Sequence, residues 1–196
     1  MSRFTIMLRQ LGFRGFALGA VALILSGCEV ATSRQPIGSQ PANLADLKVT
    51  GVWKAGQEHF YVRIADAEAG RLEVAQVKSG GGEFTIERTE MLVRRQDDAL
   101  LVNLRSVSPE SRSEYVFGRA VVNDGGAVIY LAGKKPIEAF ARSAGIGIAT
   151  RSIDEPEGDH DSIVVTNGFD RVAQELASPA GWQLLDFEHP LILQQE

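Results

Sequence analysis

FTIERTEMLVRR (residues 84–95), QDD (96–98) and ALLVNLR (99–105) read together as two strands and the turn that joins them. Phe84 and Ile86 alternate with Thr85 and Glu87, and Leu100, Val102 and Leu104 alternate with Leu101, Asn103 and Arg105. That is the period of two that sends successive side chains to opposite faces of a strand. Asp97 and Asp98 between them accept the backbone conformations of a tight turn. A connection so short leaves no room for a helical crossover, so the two runs pair antiparallel. The first run is long for one strand, and a break is expected within it.

The same texture extends in both directions. Toward the N-terminus lie runs at 71–78, 60–65 and 47–54, set apart by turn residues at 66–70 and by Ser79-Gly80-Gly81-Gly82. Toward the C-terminus lie runs at 114–123 and 128–132, set apart by Ser108-Pro109 and by Asn123-Asp124-Gly125-Gly126. Closely spaced runs with turn chemistry between them predict an antiparallel meander, which either curls into a cup or partial barrel or stays a flatter sheet. Arg119 departs from the alternation around Tyr115 and Phe117 and leaves the register near the end of that strand open.

After Lys134 and Lys135 the period changes. Ile137, Phe140, Ala141 and Ala144 recur at helical spacing between Pro136 and Gly145, normal punctuation for the start and stop of a helix. A strand at 162–166 precedes a second short helix at 169–177, with Phe169, Val172, Ala173 and Leu176 on one face and Ser178-Pro179 ending it. Trp182, Leu184, Leu185, Phe187, Leu191 and Leu193 make the last stretch too apolar for a free tail, so it is expected to pack on the sheet and helix. The fold class is therefore α+β, mainly β, with two short helices near the C-terminus.

The first 28 residues have a different design. Arg3, Arg9 and Arg14 are the only charges before Cys28, and residues 15–27 are apolar. A bilayer core takes roughly 20 apolar residues to cross, and this run is shorter. The layout is that of a signal peptide. It ends in Leu25-Ser26-Gly27-Cys28, which resembles the lipobox of bacterial lipoproteins. The resemblance implies cleavage between Gly27 and Cys28, removal of residues 1–27, a diacylglyceryl group on the Cys28 sulfur and an acyl chain such as palmitate on its amine. Two or more chains hold a protein firmly to a membrane, where one is marginal. Glu29, rather than Asp, after the cysteine implies the outer membrane, with the domain facing the periplasm. Residues 28–43 then read as the lipidated cysteine and a flexible polar tether, because EVATSRQPIGSQPAN (29–43) has little apolar periodicity. Residues 44–196 read as a single domain, a size able to bury a substantial core.

Composition narrows the function. Lipidation consumes the one cysteine, leaving none for a disulfide, a thiolate metal site or a nucleophile. Without residues 1–27 the chain carries 17 basic against 25 acidic side chains, a net charge of −8. That balance opposes nucleic acid, which needs a positive patch; Arg94-Arg95 and Lys134-Lys135 read as solvated positions on strands or loops. The acidic stretch from Asp154 to Asp161, with His160 inside it, lacks the spacing of a calcium loop and reads as a solvated loop. His59 and His189 form no paired ligand motif with it. The glycines around Gly126, Gly133, Gly145 and Gly147 fit neither phosphate-binding fingerprint, and no G-x-S-x-G elbow is present. No catalytic, cofactor or metal residue is assigned, and a non-enzymatic role is expected.

Gly51-Val52-Trp53 opens the first run of the meander. A G-x-W there resembles the opening motif of lipocalins, some of which are lipid-anchored. It implies a barrel that carries a small apolar ligand, with Trp53 closing one end. The overall order also looks like that of small bacterial envelope lipoproteins, which implies an accessory or interaction role. The expected partners are the membrane, through Cys28, and an envelope protein or an apolar small molecule.

Overall fold

The computed structural model describes residues 30–45, 47–80, 83–107, 114–123, 125–155 and 158–196. Strands β1 to β12 are numbered in chain order. The runs at 84–95 and 99–105 lie on β6 (Glu83–Gln96) and β7 (Ala99–Ser106), paired antiparallel from Gln96 with Ala99 to Thr89 with Ser106. Asp97 takes a φ of 51° in the turn, a left-handed conformation that aspartate tolerates. The break expected in β6 is absent. Its first half is held by β5 (Arg71–Gly80), and β7 takes over along its second half, so a ladder supports the whole strand. The meander continues through β4 (Glu58–Asp66) to β3 (Gly51–Ala55) on one side. On the other it continues through β8 (Tyr115–Asn123) to β9 (Gly126–Leu131).

The sheet closes on itself. β12 (Leu191–Gln195) pairs antiparallel with β9 and with β3, while β9 also pairs with β8, giving an eight-stranded antiparallel barrel from β3 to β9 plus β12. The apolar C-terminal stretch is thus partly a wall of the barrel. Leu191 and Leu193 face inward with Ile129 while Ile192 faces out, a clean alternation that five residues are enough to carry.

The tether expected at 28–43 is corrected over its described part. β1 (Ala31–Ser33) pairs antiparallel with β8 and parallel with β11 (Gly158–Val165), and β2 (Gln40–Pro41) pairs with β6. Ala31, Ile37, Ala42 and Leu44 are buried. Their spacing shows no period because each docks at a different place, first on the outer wall and then at one end of the barrel. Asn103 fixes the crossing. Its Oδ1 accepts the Ile37 N–H at 2.6 Å, its Nδ2 donates to the Ile37 carbonyl at 3.0 Å, and both residues are fully buried. The signal segment, Cys28 and Glu29 lie outside the described residues.

Outside the barrel stand α1 (Lys134–Ala144), the hairpin of β10 (Ile148–Glu155) with β11, α2 (Phe169–Ala177) and a 3-10 turn (Ala180–Leu184). Gly145 ends α1 in the left-handed conformation, as glycine after a helix does. Two cores result, one inside the barrel and one between its outer wall and the helices. The second core is why β7 is apolar on both faces: Val102 points in, while Leu101 and Asn103 are buried outside. Arg119 belongs to the outer face as well. Its guanidinium lies 4.3 Å from the Trp182 ring centre and donates to the Leu176 carbonyl at 3.2 Å, so the register of β8 runs through it undisturbed. The acidic stretch from Asp154 to Asp161, expected as a loop, is mostly paired strand, Asp154 opposite Asp159 and Glu155 opposite Gly158. Backbone pairing outweighs the low strand preference of those residues.

Candidate functional site

Three inward-facing rows cross the barrel wall in register. Ile64, Leu72, Met91, Leu104 and Val116 form an entirely apolar row. Next comes Gly51, Val62, Val74, Thr89 and Ser106. The third is Trp53, Phe60, Gln76 and Glu87. Polarity therefore rises in steps toward one end, the end at which β3, β5, β7 and β9 finish.

The opposite end is plugged. Ala42 N–H donates to the Val93 carbonyl at 3.0 Å and Leu44 N–H to Ala67 at 3.1 Å, which sets Leu44, fully buried, among Leu72, Met91 and Val93. Gly70 makes the closure geometrically feasible: a Cβ there would lie 2.3 Å from the Val93 carbonyl and 2.9 Å from that of Ala42, and its φ is 65°. Trp53 is buried in the third row, and its indole N–H donates to the Val49 carbonyl at 2.8 Å. The expected barrel-end tryptophan is thus inside the barrel and tied to the chain entering its first strand.

Gln76 is the unusual member of the open end. It is 5% exposed, and its Oε1 is buried with no hydrogen-bond partner among the described residues. An unpaired buried acceptor costs about 1–3 kcal/mol. Beside it Lys78 Nζ meets Glu87 Oε2 at 3.2 Å. The β4–β5 ladder stops at the pair Phe60 and Gln76, and a cleft of about 490 Å³ opens there, lined by Glu58, His59, Tyr61, Gln76, Val77 and Lys78 among others. Chemically, this end presents an apolar interior, one hydrogen-bond acceptor without a donor, and an ion pair at the rim.

The remaining sequence candidates do not converge on it as a group. His59 lines the cleft but pairs with Glu196 at 3.3 Å, and His189 pairs with Asp186 at 3.1 Å. His160 lies on β11, beyond the barrel wall. Among the described residues no three His, Cys, Asp or Glu side chains gather as a metal site, and no helix is long and apolar enough to cross a membrane. A second cleft of about 570 Å³ lies outside the barrel, where Gly38, Arg94, Asp170 and Arg171 meet; its charges are mixed, and Asp170 already sits on the first turn of α2. Gln76 and Thr89 escaped the sequence reading. The signal was present as polar residues on the same inward phase as Leu72, Val74, Met91 and Val93.

Comparison with protein-family models, with curated proteins and with solved structures finds no match. What stands is the architecture: a closed eight-stranded antiparallel barrel of lipocalin-like form, a fold capable of binding a ligand.

Proposed function

We propose that the protein is a lipid-anchored carrier of a small, largely apolar molecule that offers one hydrogen-bond donor. The observation that supports this most is the graded inner wall, apolar in depth and ending at Gln76, whose buried Oε1 has no partner among the described residues. A ligand donor there removes the cost of the orphan acceptor while the apolar rows receive the rest of the molecule. The reading assigns no catalytic residue. The address comes from the sequence: cleavage at Gly27, acylation of Cys28 and retention at the outer membrane, the domain facing the periplasm.

Native mass spectrometry and solvent extraction of the detergent-purified full chain test the carrier. Trp182→Phe leaves Trp53 as the single indole, and its emission is expected to shift when the retained molecule is removed. Gln76→Leu is expected to keep the fold and lose retention. A chain that arrives empty and does not respond to added fatty acids defeats the reading, as does turnover of an ester, peptide or glycan that one fold-preserving substitution abolishes. In-cell crosslinking to a single envelope protein by such an empty chain supports instead the accessory role. For the anchor, the mass of an acylated N-terminal Cys28 is expected. A Cys28→Ser form that is processed and partitions into membrane like the parent would refute it.

A further inference from the structure

The cleft of about 570 Å³ outside the barrel is lined by Gly38, Ser39, Arg94 and the first residues of α2, Phe169 to Arg171, among others. Arg94 stands on β6 opposite Leu101 of β7 and Pro41 of β2. Its Nε is buried and has no hydrogen-bond partner, and its guanidinium forms no ion pair, among the described residues. Asp170, exposed on the rim of the same cleft, does not pair with it. An arginine nitrogen withdrawn from water is ordinarily matched by a carboxylate or another acceptor. No described protein group does this for Arg94.

The backbone beside Arg94 is shaped to hold it there. Gly38 has a φ of 119°, and a Cβ on it would lie 2.6 Å from the Arg94 Cβ and 3.4 Å from its Cδ. Glycine therefore lets residues 35–39 cross the stem of the arginine at close range. That crossing is fixed from two sides. Asn103 makes its two bonds to Ile37, and the Ser33 hydroxyl donates to the Gln35 carbonyl at 2.7 Å. The start of α2 lines the cleft as well. Its bonding begins with the Arg171 and Val172 N–H groups, which donate to the Gly168 carbonyl at 3.0 and 3.2 Å, and no side chain caps it. The Phe169 and Asp170 amides are thus without a partner inside the helix. Arg171 donates through Nη1 to the Ala144 carbonyl at 2.5 Å, which keeps a second guanidinium beside them.

We propose that this cleft binds an oxyanion, the carboxylate or phosphate group of a small molecule, on Arg94, with Arg171 and the first amides of α2 as further donors. A guanidinium meets such groups as a planar fork of N–H donors. Arg94 carries the assignment, because its buried Nε is the donor that an oxyanion satisfies; the helix start adds partial positive charge to a place already selected. Asp170 opposes the anion and holds the affinity down. The cleft is larger than a bare ion needs and lies within the range of small-molecule sites. It stands outside the barrel wall and is independent of the apolar ligand proposed above.

The full chain, uniformly labelled with ¹⁵N and held in detergent, is titrated at constant ionic strength with inorganic phosphate and separately with acetate. The Arg94 Nε–H is assigned by its loss in Arg94→Lys, and the Phe169 amide is followed in every variant. Both signals are expected to shift saturably. Arg94→Gln is expected to weaken binding roughly tenfold or more, since a hydrogen bond to a charged group is removed, and Arg171→Gln severalfold. Asp170→Asn is expected to tighten it severalfold, a gain that misfolding does not imitate. Arg63→Gln, whose partner is Glu73 on exposed strands, is expected to change nothing. Tighter binding of phosphate assigns a phosphate ester and tighter binding of acetate a carboxylic acid; either supports the site. Shifts that chloride reproduces, that never saturate, or that survive Arg94→Gln at the Phe169 amide overturn it, as does weaker binding by Asp170→Asn.

Discussion

Replacing Asn103 by alanine tests whether the N-terminal segment belongs to the fold. The carboxamide accepts from the Ile37 N–H at 2.6 Å and donates to the Ile37 carbonyl at 3.0 Å, with a third, longer contact to the Leu92 carbonyl at 3.4 Å. Asn103 and Ile37 are both fully buried, so the truncation leaves a donor and an acceptor without water or protein partners. At about 1–3 kcal/mol for each orphaned group, the expected loss is about 2–6 kcal/mol. A domain of this size loses roughly 2–4 °C per kcal/mol, so Tm is expected to fall by roughly 4–24 °C. Asn43→Ala is the control. Its side chain also accepts a backbone N–H, from Ala45 at 2.9 Å, but at an exposed position, where the loss is expected within about 1 kcal/mol. Urea unfolding with an unchanged slope reads both variants, and amide exchange at Ile37 reports the local effect. If Asn103→Ala costs no more than Asn43→Ala, or if the Ile37 amide of the parent exchanges freely, the segment is not anchored as described.

Three further outcomes follow from the geometry. Gly118→Ala places a Cβ 2.1 Å from the Tyr130 carbonyl and 2.9 Å from the Leu131 Cα, so the β8–β9 seam cannot form; loss of the β-rich far-UV spectrum or of soluble yield is expected, and a normally melting variant refutes the closure there. A chain shortened to begin at Pro41 loses the buried Ala31 and Ile37 and is expected to unfold at lower urea than one beginning at Glu29. Equal midpoints would return 29–43 to the status of a tether. Gln76→Leu removes the orphan acceptor and is expected to leave the empty protein as stable as the parent or more stable by about 1 kcal/mol; a loss above that, measured by urea unfolding, would mean that Oε1 is satisfied in solution.

Strand content was legible wherever alternation and turn chemistry agree, as at Leu100 to Leu104 beside Asp97 and Asp98. The helix at Phe169–Ala177 was readable to the residue because Phe169, Val172, Ala173 and Leu176 repeat at one period between Gly168 and Ser178. Closure was not, since it depends on Gln195 meeting Trp53, a pairing that no local pattern records. β1 was hidden because three residues carry no measurable period, and its stability comes from β8 and β11, far along the chain. The hairpin of β10 and β11 was masked by charge, which propensity counts and tertiary pairing overrides. Phe84 and Ile86 were visible as an apolar phase; that this phase points outward required knowing where β4 and β7 end.

The last strand of the barrel also sets an order of events. β12 joins β9 to β3, and so residues 191–195 must find residues 51–55 after nearly the whole chain between them is available. Contacts that distant in sequence slow folding, because loop closure is opposed by chain entropy before any contact rewards it. Until that moment β3 and β9 each present an open edge. Pairing of residues 191–195 with both edges is the step that turns an open sheet into a sealed barrel.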